Sequence, residues 1–135
     1  MNIQLDEGAY FPLRAYVQDG GADLRTPHRF VLHPQSYIDL DTGVHFEIPY
    51  GLAGLVIGKS SLSKEGITTE SLIDSGYTGS IHVVLFNHSR KLRVFEKGDK
   101  IAQIMFVRII APIFDHVDQI TGGDRGDRGF GSTGK

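Results

Sequence analysis

The chain has 135 residues, with 14 Lys and Arg against 16 Asp and Glu, so its formal net charge is −2. That length makes one domain by the usual size of about 100–200 residues, and without Cys the chain holds neither a disulfide framework nor a thiolate metal site. The near-neutral balance argues against a nucleic-acid coat, and 40 % hydrophobic content argues against a disordered chain.

The N-terminus, Met1-Asn2-Ile3-Gln4-Leu5-Asp6-Glu7, lacks the basic start and apolar core of a signal peptide. No run approaches the roughly 18 apolar residues of a membrane span. A soluble, cytoplasmic protein that engages neither membrane nor nucleic acid is the expectation. Along the chain the apolar period is two rather than 3.6. Residues 11–17, Phe30–Leu32 and Leu52–Ile57 carry weak strand patterns, and residues 44–48 alternate apolar and polar until Pro49. Ser60–Lys64 has room for a turn or two of helix. Residues 81–86 and 92–95 are β-rich runs separated by a short polar break, which predicts a hairpin. Lys97-Gly98-Asp99 is turn chemistry, and residues 101–110 form a last β-branched run. Short strands with turn signals roughly every 10 residues predict an all-β sandwich or barrel, with a double-sheet jelly roll as the expected form.

The 17 Gly fall in two groups. One punctuates the strands. The other fills Arg125-Gly126-Asp127-Arg128-Gly129-Phe130-Gly131-Ser132-Thr133-Gly134-Lys135. Composition alone reads this end as a solvated tail. Converging backbone N–H groups, two hydroxyls and two Arg also suit an arm that orders around an anion, and Phe130 offers a ring to stack on a base.

Three internal stretches carry chemistry. Gly58-Lys59-Ser60-Ser61-Leu62 follows an apolar run, and its Lys and two hydroxyls suit a phosphate, although it lacks P-loop spacing and Ser60 could serve as a helix N-cap. Leu72-Ile73-Asp74-Ser75-Gly76-Tyr77-Thr78-Gly79 sets a carboxylate at a strand end, as a turn residue or as a general base, with the Tyr77 ring nearby. Gly98-Asp99-Lys100-Ile101-Ala102-Gln103 puts the Gln103 amide in an apolar strand, where it needs a partner across the sheet or in a ligand. The six His show no metal-ligand spacing.

Taken in order with Gly21-Ala22-Asp23-Leu24 and the terminal run, these stretches resemble the five ordered motifs of the trimeric dUTPases. The match extends from about residue 21 to the C-terminus. The resemblance implies a jelly-roll domain (residues 1–120) with a flexible arm (residues 121–135). It also implies a homotrimer with active sites at subunit interfaces and Mg²⁺-assisted hydrolysis of dUTP to dUMP and pyrophosphate. By the same resemblance Asp74 is the base that activates water. Tyr77 packs under deoxyribose and excludes a 2′-hydroxyl. Ile73, Gly76 and the surrounding hairpin read uracil, and Phe130 covers it. Lys59, Ser60, Ser61, Gln103, Arg125, Ser132 and Thr133 match phosphate contacts. Asp23 supports the site near the metal, which the substrate phosphates mainly hold, with no direct protein ligand.

The chain departs from the family pattern at Lys59, where Arg is usual, at Ser71 and Arg128, where Gly is usual, and at Lys64-Glu65-Gly66, about one residue short. The related dCTP deaminases share the fold but use a Glu base on the strand that here carries Val84, and a valine moves no proton. A regulatory protein partner on the same scaffold is a further alternative, with residues 106–118 and 18–29 as candidate surfaces.

Overall fold

The computed structural model describes residues 1–123 and 126. In chain order the elements are β1 (Ile3–Leu5), β2 (Ala22–Arg25), β3 (Phe30–Leu32), β4 (Ser36–Asp41), β5 (Val44–Phe46), β6 (Leu52–Ile57), α1 (Ser60–Lys64), β7 (Ile67–Thr68), β8 (Glu70–Ile73), β9 (His82–Asn87), β10 (Arg93–Phe95) and β11 (Lys100–Arg108). The architecture is all-β, as expected, with α1 as the one short helix among the described residues. No helix of the described residues is long and apolar enough to cross a membrane.

All strand pairings are antiparallel. A four-stranded sheet has the order β2-β11-β6-β8, a three-stranded sheet the order β4-β9-β7, and β1-β5 and β3-β10 form two-stranded pairs. The apolar period explains which strands lie inside. In β9, Val83, Leu85 and Asn87 point inward while His82 and Phe86 point out, the alternation of a sheet with one buried face. β6 and β11 occupy the middle of their sheet, and Ala53, Val56, Ile101, Ala102 and Ile104 are all but inaccessible. Phe30 stacks on Phe95 with centroids 4.7 Å apart, and Phe46 meets Phe106 edge-on at 5.2 Å. Aromatic pairs of this kind add about 0.5–1.5 kcal/mol beyond the area they bury.

The expected hairpin between residues 81–86 and 92–95 does not form. β9 pairs with β4 and β7, whereas β10 crosses to β3. The cause is Asn87, a buried amide at an inward position. Its Nδ2 donates to the carbonyls of Lys91 (2.8 Å) and His33 (3.1 Å), and its Oδ1 accepts from the Ser89 N–H (3.0 Å) and hydroxyl (2.7 Å). These bonds curl residues 88–92 into a loop that delivers β10 to the other sheet. Residues 11–17 also fail as a strand, keeping only a bridge between Leu13 and Asp23. Pro12 lacks an N–H, and Asp19 draws the segment into a turn by accepting from the Tyr16 N–H at 2.9 Å. β4 is a strand that no expectation covered. Leu40 is its one fully buried side chain, and Tyr37, Asp39 and Asp41 face outward.

Asn87→Asp keeps the acceptor for Ser89 but sets a carboxylate against carbonyls. It is expected to cost about 2–4 kcal/mol of stability, read as a lower urea midpoint.

Candidate active site

The four-stranded sheet gathers one group of charges. Asp23 on β2 stands opposite Gln103 on β11, which stands opposite Ile57 at the end of β6. Two residues further on, Lys59 turns back toward the same place. Its Nζ lies 2.5 Å from Asp23 Oδ1, Lys100 Nζ lies 2.6 Å from Oδ2, and Gln103 Nε2 donates to Oδ1 at 3.3 Å. Lys100 and Gln103 are three apart on one strand and would normally face opposite sides. A bulge between Lys100 and Ala102 corrects the parity, so both reach one carboxylate. Gly21 makes room, since a Cβ there would lie 3.0 Å from that of Gln103.

Burial pushes the Asp23 carboxyl up, but hydrogen bonds from Lys100, Lys59 and Gln103 outweigh it and hold it below the usual carboxylate range. Asp23 therefore stays ionised at neutral pH. With a lowered folded value, its contribution is complete above the ordinary carboxylate range and fades as pH falls through the folded one. Beside the cluster a cavity of about 440 Å³ is lined by Arg25, Lys59, Ser61, Arg93 and Lys100, with Glu65 and Asp99. Four cations against two carboxylates suit an anion. Ser60 and Ser61 are exposed on the first turn of α1. Ser60 does not cap the helix: Lys59 holds the N-cap position and makes no side-chain cap bond.

The second group lies where β8 ends. Ile73 packs half-buried over Gly54, whose added Cβ would meet that of Ile73 at 3.3 Å. Residues 74–77 then turn, closed by the Tyr77 N–H on the Asp74 carbonyl at 3.3 Å, with Gly76 at φ +87°. A type II turn asks for that sign at its third residue. Asp74 is exposed, and its carboxylate takes no hydrogen bond among the described residues. Tyr77 Oη donates to the Ser80 carbonyl at 2.9 Å, and the ring lies against Gly79. A Cβ on Gly79 would sit 2.5 Å from Tyr77 Oη and 2.6 Å from Cζ.

The loop beyond Tyr77 is tied to the β4–β5 connection. Thr42 Oγ1 donates to the Ile81 carbonyl at 2.7 Å, the Ile81 N–H donates to the Val44 carbonyl at 2.8 Å, and the Ser80 hydroxyl donates to Asp41. Sequence reasoning missed these supports, and it missed Lys100 as a partner of Asp23. The bulge that turns Lys100 inward leaves no mark in the apolar pattern.

The two groups do not meet within one chain. In the β6–β8 register Gly54 faces Ile73 and Ile57 faces Glu70, so Asp74 is level with Ala53, seven residues before Ser60. Four of those steps, Ala53 to Ile57, lie along the strand, about 13 Å at about 3.3 Å per residue, and Ser60 stands beyond the strand end on α1. Arg125, Phe130, Ser132 and Thr133 lie outside the described residues. Asp23→Asn removes the one anion between two ammonium groups. A fully buried pair loses about 3–5 kcal/mol in this way, but Lys100 is 38 % exposed and can swing to water. The expected loss is therefore about 2–3 kcal/mol, measured by urea unfolding.

The dUTPase family model matches residues 8–134. The chain is 37 % identical to the deoxyuridine 5′-triphosphate nucleotidohydrolase of Tropheryma whipplei strain Twist, covering 97 % of this chain and 93 % of that protein. It is 33 % identical to the mouse protein of the same name, covering 98 % and 83 %. Among solved structures, a point mutant of the Staphylococcus bacteriophage 80alpha dUTPase with dUpNHpp superposes with a TM-score of 0.86. It is 26 % identical, with 99 % of each chain covered. A mutant dUTPase from phage phi11 of S. aureus, described with a structural Mg(II) ion, gives 0.79 at 25 % identity and covers 88 % of this chain and 98 % of that one. With a family model spanning nearly its whole length and relatives of one name from bacteria to mouse, the chain belongs to the dUTPase family.

Proposed function

We propose that this protein hydrolyses dUTP to dUMP and pyrophosphate in a homotrimer of jelly-roll subunits, with each site shared between copies. The observation that carries the reading is the division of the site. A carboxylate without a hydrogen-bond partner among the described residues sits beside an aromatic ring at one end of the β6–β8 pair, and a cationic, hydroxyl-bearing cavity sits at the other. A nucleoside triphosphate has the matching halves, an apolar sugar and base and a polyanionic tail. Because the groups lie at opposite ends of that pair in one chain, Asp74 and Tyr77 come from one copy and Lys59, Ser60, Ser61 and Gln103 from another. The segment after β11 supports an assembly as well. Ile110, Ile113 and Phe114 stand 93 %, 92 % and 90 % exposed, more apolar surface than a lone domain leaves to water, and residues 121–135 would continue it as an arm.

In this reading Asp74 takes a proton from a water aligned with the α-phosphorus. The water oxygen bonds to phosphorus as the bond to the bridging oxygen breaks, and pyrophosphate leaves. Phosphoryl chemistry of this kind depends on position and charge more than on covalent help. The Tyr77 ring, held against Gly79, packs under the deoxyribose and leaves no space for a 2′-hydroxyl. The hairpin at Ile73 and Gly76 presents backbone to uracil, and Phe130 covers the base. Lys59, Ser60, Ser61 and the second N–H of Gln103 face the phosphates, with Arg125, Ser132 and Thr133 arriving from the arm. Both Asp23 oxygens are held by Lys, so that carboxylate supports the metal's surroundings, and the substrate phosphates act as the chelator. Mg²⁺, when bound, supplies charge neutralisation on the triphosphate. Deamination of dCTP has no support, since Val84 occupies the strand position of the deaminase Glu.

The test is pyrophosphate release with Mg²⁺ from dUTP, dCTP, dTTP and UTP. Turnover of dUTP alone is expected, and equal turnover of all four would end the proposal. Asp74→Asn should keep nucleotide binding and lower kcat by about 10²–10⁴; near-wild-type kcat would remove Asp74 from the role of base. Gly79→Ala should push the Tyr77 ring from its seat. A drop in kcat/KM of about tenfold for dUTP, or about 1.4 kcal/mol, and a weaker preference over UTP are expected from steady-state kinetics.

A further inference from the structure

His45 lies on β5, opposite Gln4 of β1. Its Nδ1 is 2.9 Å from the Thr78 carbonyl oxygen, and its Nε2 is 3.1 Å from a carboxylate oxygen of Asp6. Both neighbours only accept hydrogen bonds. A neutral imidazole donates from one nitrogen, so filling both contacts takes the imidazolium. Thr78 comes directly after Tyr77, and its carbonyl is where the side chain of β5 grips the loop.

We propose that protonated His45 is a positioning residue, bridging Asp6 to Thr78 so that the loop holds the Tyr77 ring and Asp74 in their substrate-binding geometry. The inference rests on the reading that this turn binds the nucleotide. The titratable groups around His45 come from four elements. Asp6 lies just past β1. Glu47 lies just past β5, held by Asn2 Nδ2 at 2.5 Å. Asp41 ends β4 and accepts from Ser80. His82 on β9 sits 2.9 Å from Asp39 and 3.9 Å from Asp41.

The Thr78 carbonyl and the Asp6 carboxylate raise His45 above the ordinary histidine value, against a small opposing effect of burial. The Ser80 hydroxyl and the Gly43 N–H hold Asp41 below its own, so it stays charged throughout the neutral range. A raised His value means that the bridge is complete at lower pH and is lost as pH rises through the folded value. The loop therefore loosens on the alkaline side.

Full-length enzyme labelled with ¹⁵N-histidine, monitored by NMR and by dUTP kinetics from about pH 6 to 9.5, a range that brackets a raised histidine, tests this. Wild type should show His45 with both ring nitrogens protonated at the acid end. The Tyr77 and Thr78 amide signals and kcat/KM should then change with the same alkaline midpoint. His45→Asn, whose amide N–H can still reach the Thr78 carbonyl, should keep activity within about twofold and lose that limb. His45→Ala should lose roughly 3- to 10-fold in kcat/KM, chiefly through KM, and also lose the limb. Asp6→Asn should move the limb to lower pH. A neutral His45 at the acid end, loop signals that ignore its titration, or the same limb in the Asn and Ala variants would overturn the proposal. If wild type releases no pyrophosphate from dUTP at any pH, the functional reading fails, while the NMR titration still decides whether His45 is charged and grips the loop.

Discussion

The antiparallel pairing of β6 with β8 governs this molecule. Two antiparallel neighbours release the chain at opposite ends of their sheet. β6 leads into Lys59, Ser60 and Ser61, and β8 leads into Asp74 and Tyr77. These two groups are thereby kept apart within one chain. β6 is also a central strand, flanked by β11 and β8, so moving it would disrupt most of the core. In the proposed reading, copies of this 135-residue chain bring the two groups together.

Where β6 ends the central object is a buried anion. Two ammonium groups and an amide surround Asp23, so it keeps its charge despite burial. The carboxylate in turn fixes the lysines that border the cavity. Without it, two flexible cations would extend into water and repel each other. Lys59 stands where the family usually has Arg. An ammonium offers three donors but no planar fork, and here one of them is aimed at Asp23. Where β8 ends, order comes from the backbone. Gly76 permits the turn, Gly79 admits the ring, and Ser80 and Ile81 are stitched to β4 and β5.

Much of this was legible in the residues themselves. Leu52–Ile57 and Ser60–Lys64 form where the apolar period and the polar start place them, and the turn at Gly98 forms where Lys97-Gly98-Asp99 predicts it. Asp74 was readable as a strand-end carboxylate, and Gln103 as an amide in need of a partner. The illegible parts are those decided by distant residues. Nothing between residues 81 and 95 shows that Asn87 will bond carbonyls at His33 and Lys91 and send β10 to β3. Nothing near His45 shows that Asp6 and Thr78 will arrive on its two nitrogens. Pairing partners in an antiparallel sheet lie far apart in sequence, and side-chain parity can change at a bulge.

That bulge in β11 has a consequence for how such a chain can vary in length. Insertions and deletions are usually absorbed in exposed loops, and a strand interior tolerates them poorly because one residue reverses every side chain beyond it. Between Lys100 and Ala102 the sheet already accommodates one residue out of step. Removing it would set Lys100 and Gln103 two apart, still on one face, but would take a fully inaccessible side chain, Ile101 or Ala102, out of the core. A regular ladder that kept every residue from Lys100 to Gln103 would instead turn Lys100 away from Asp23, so the charge cluster depends on that irregularity.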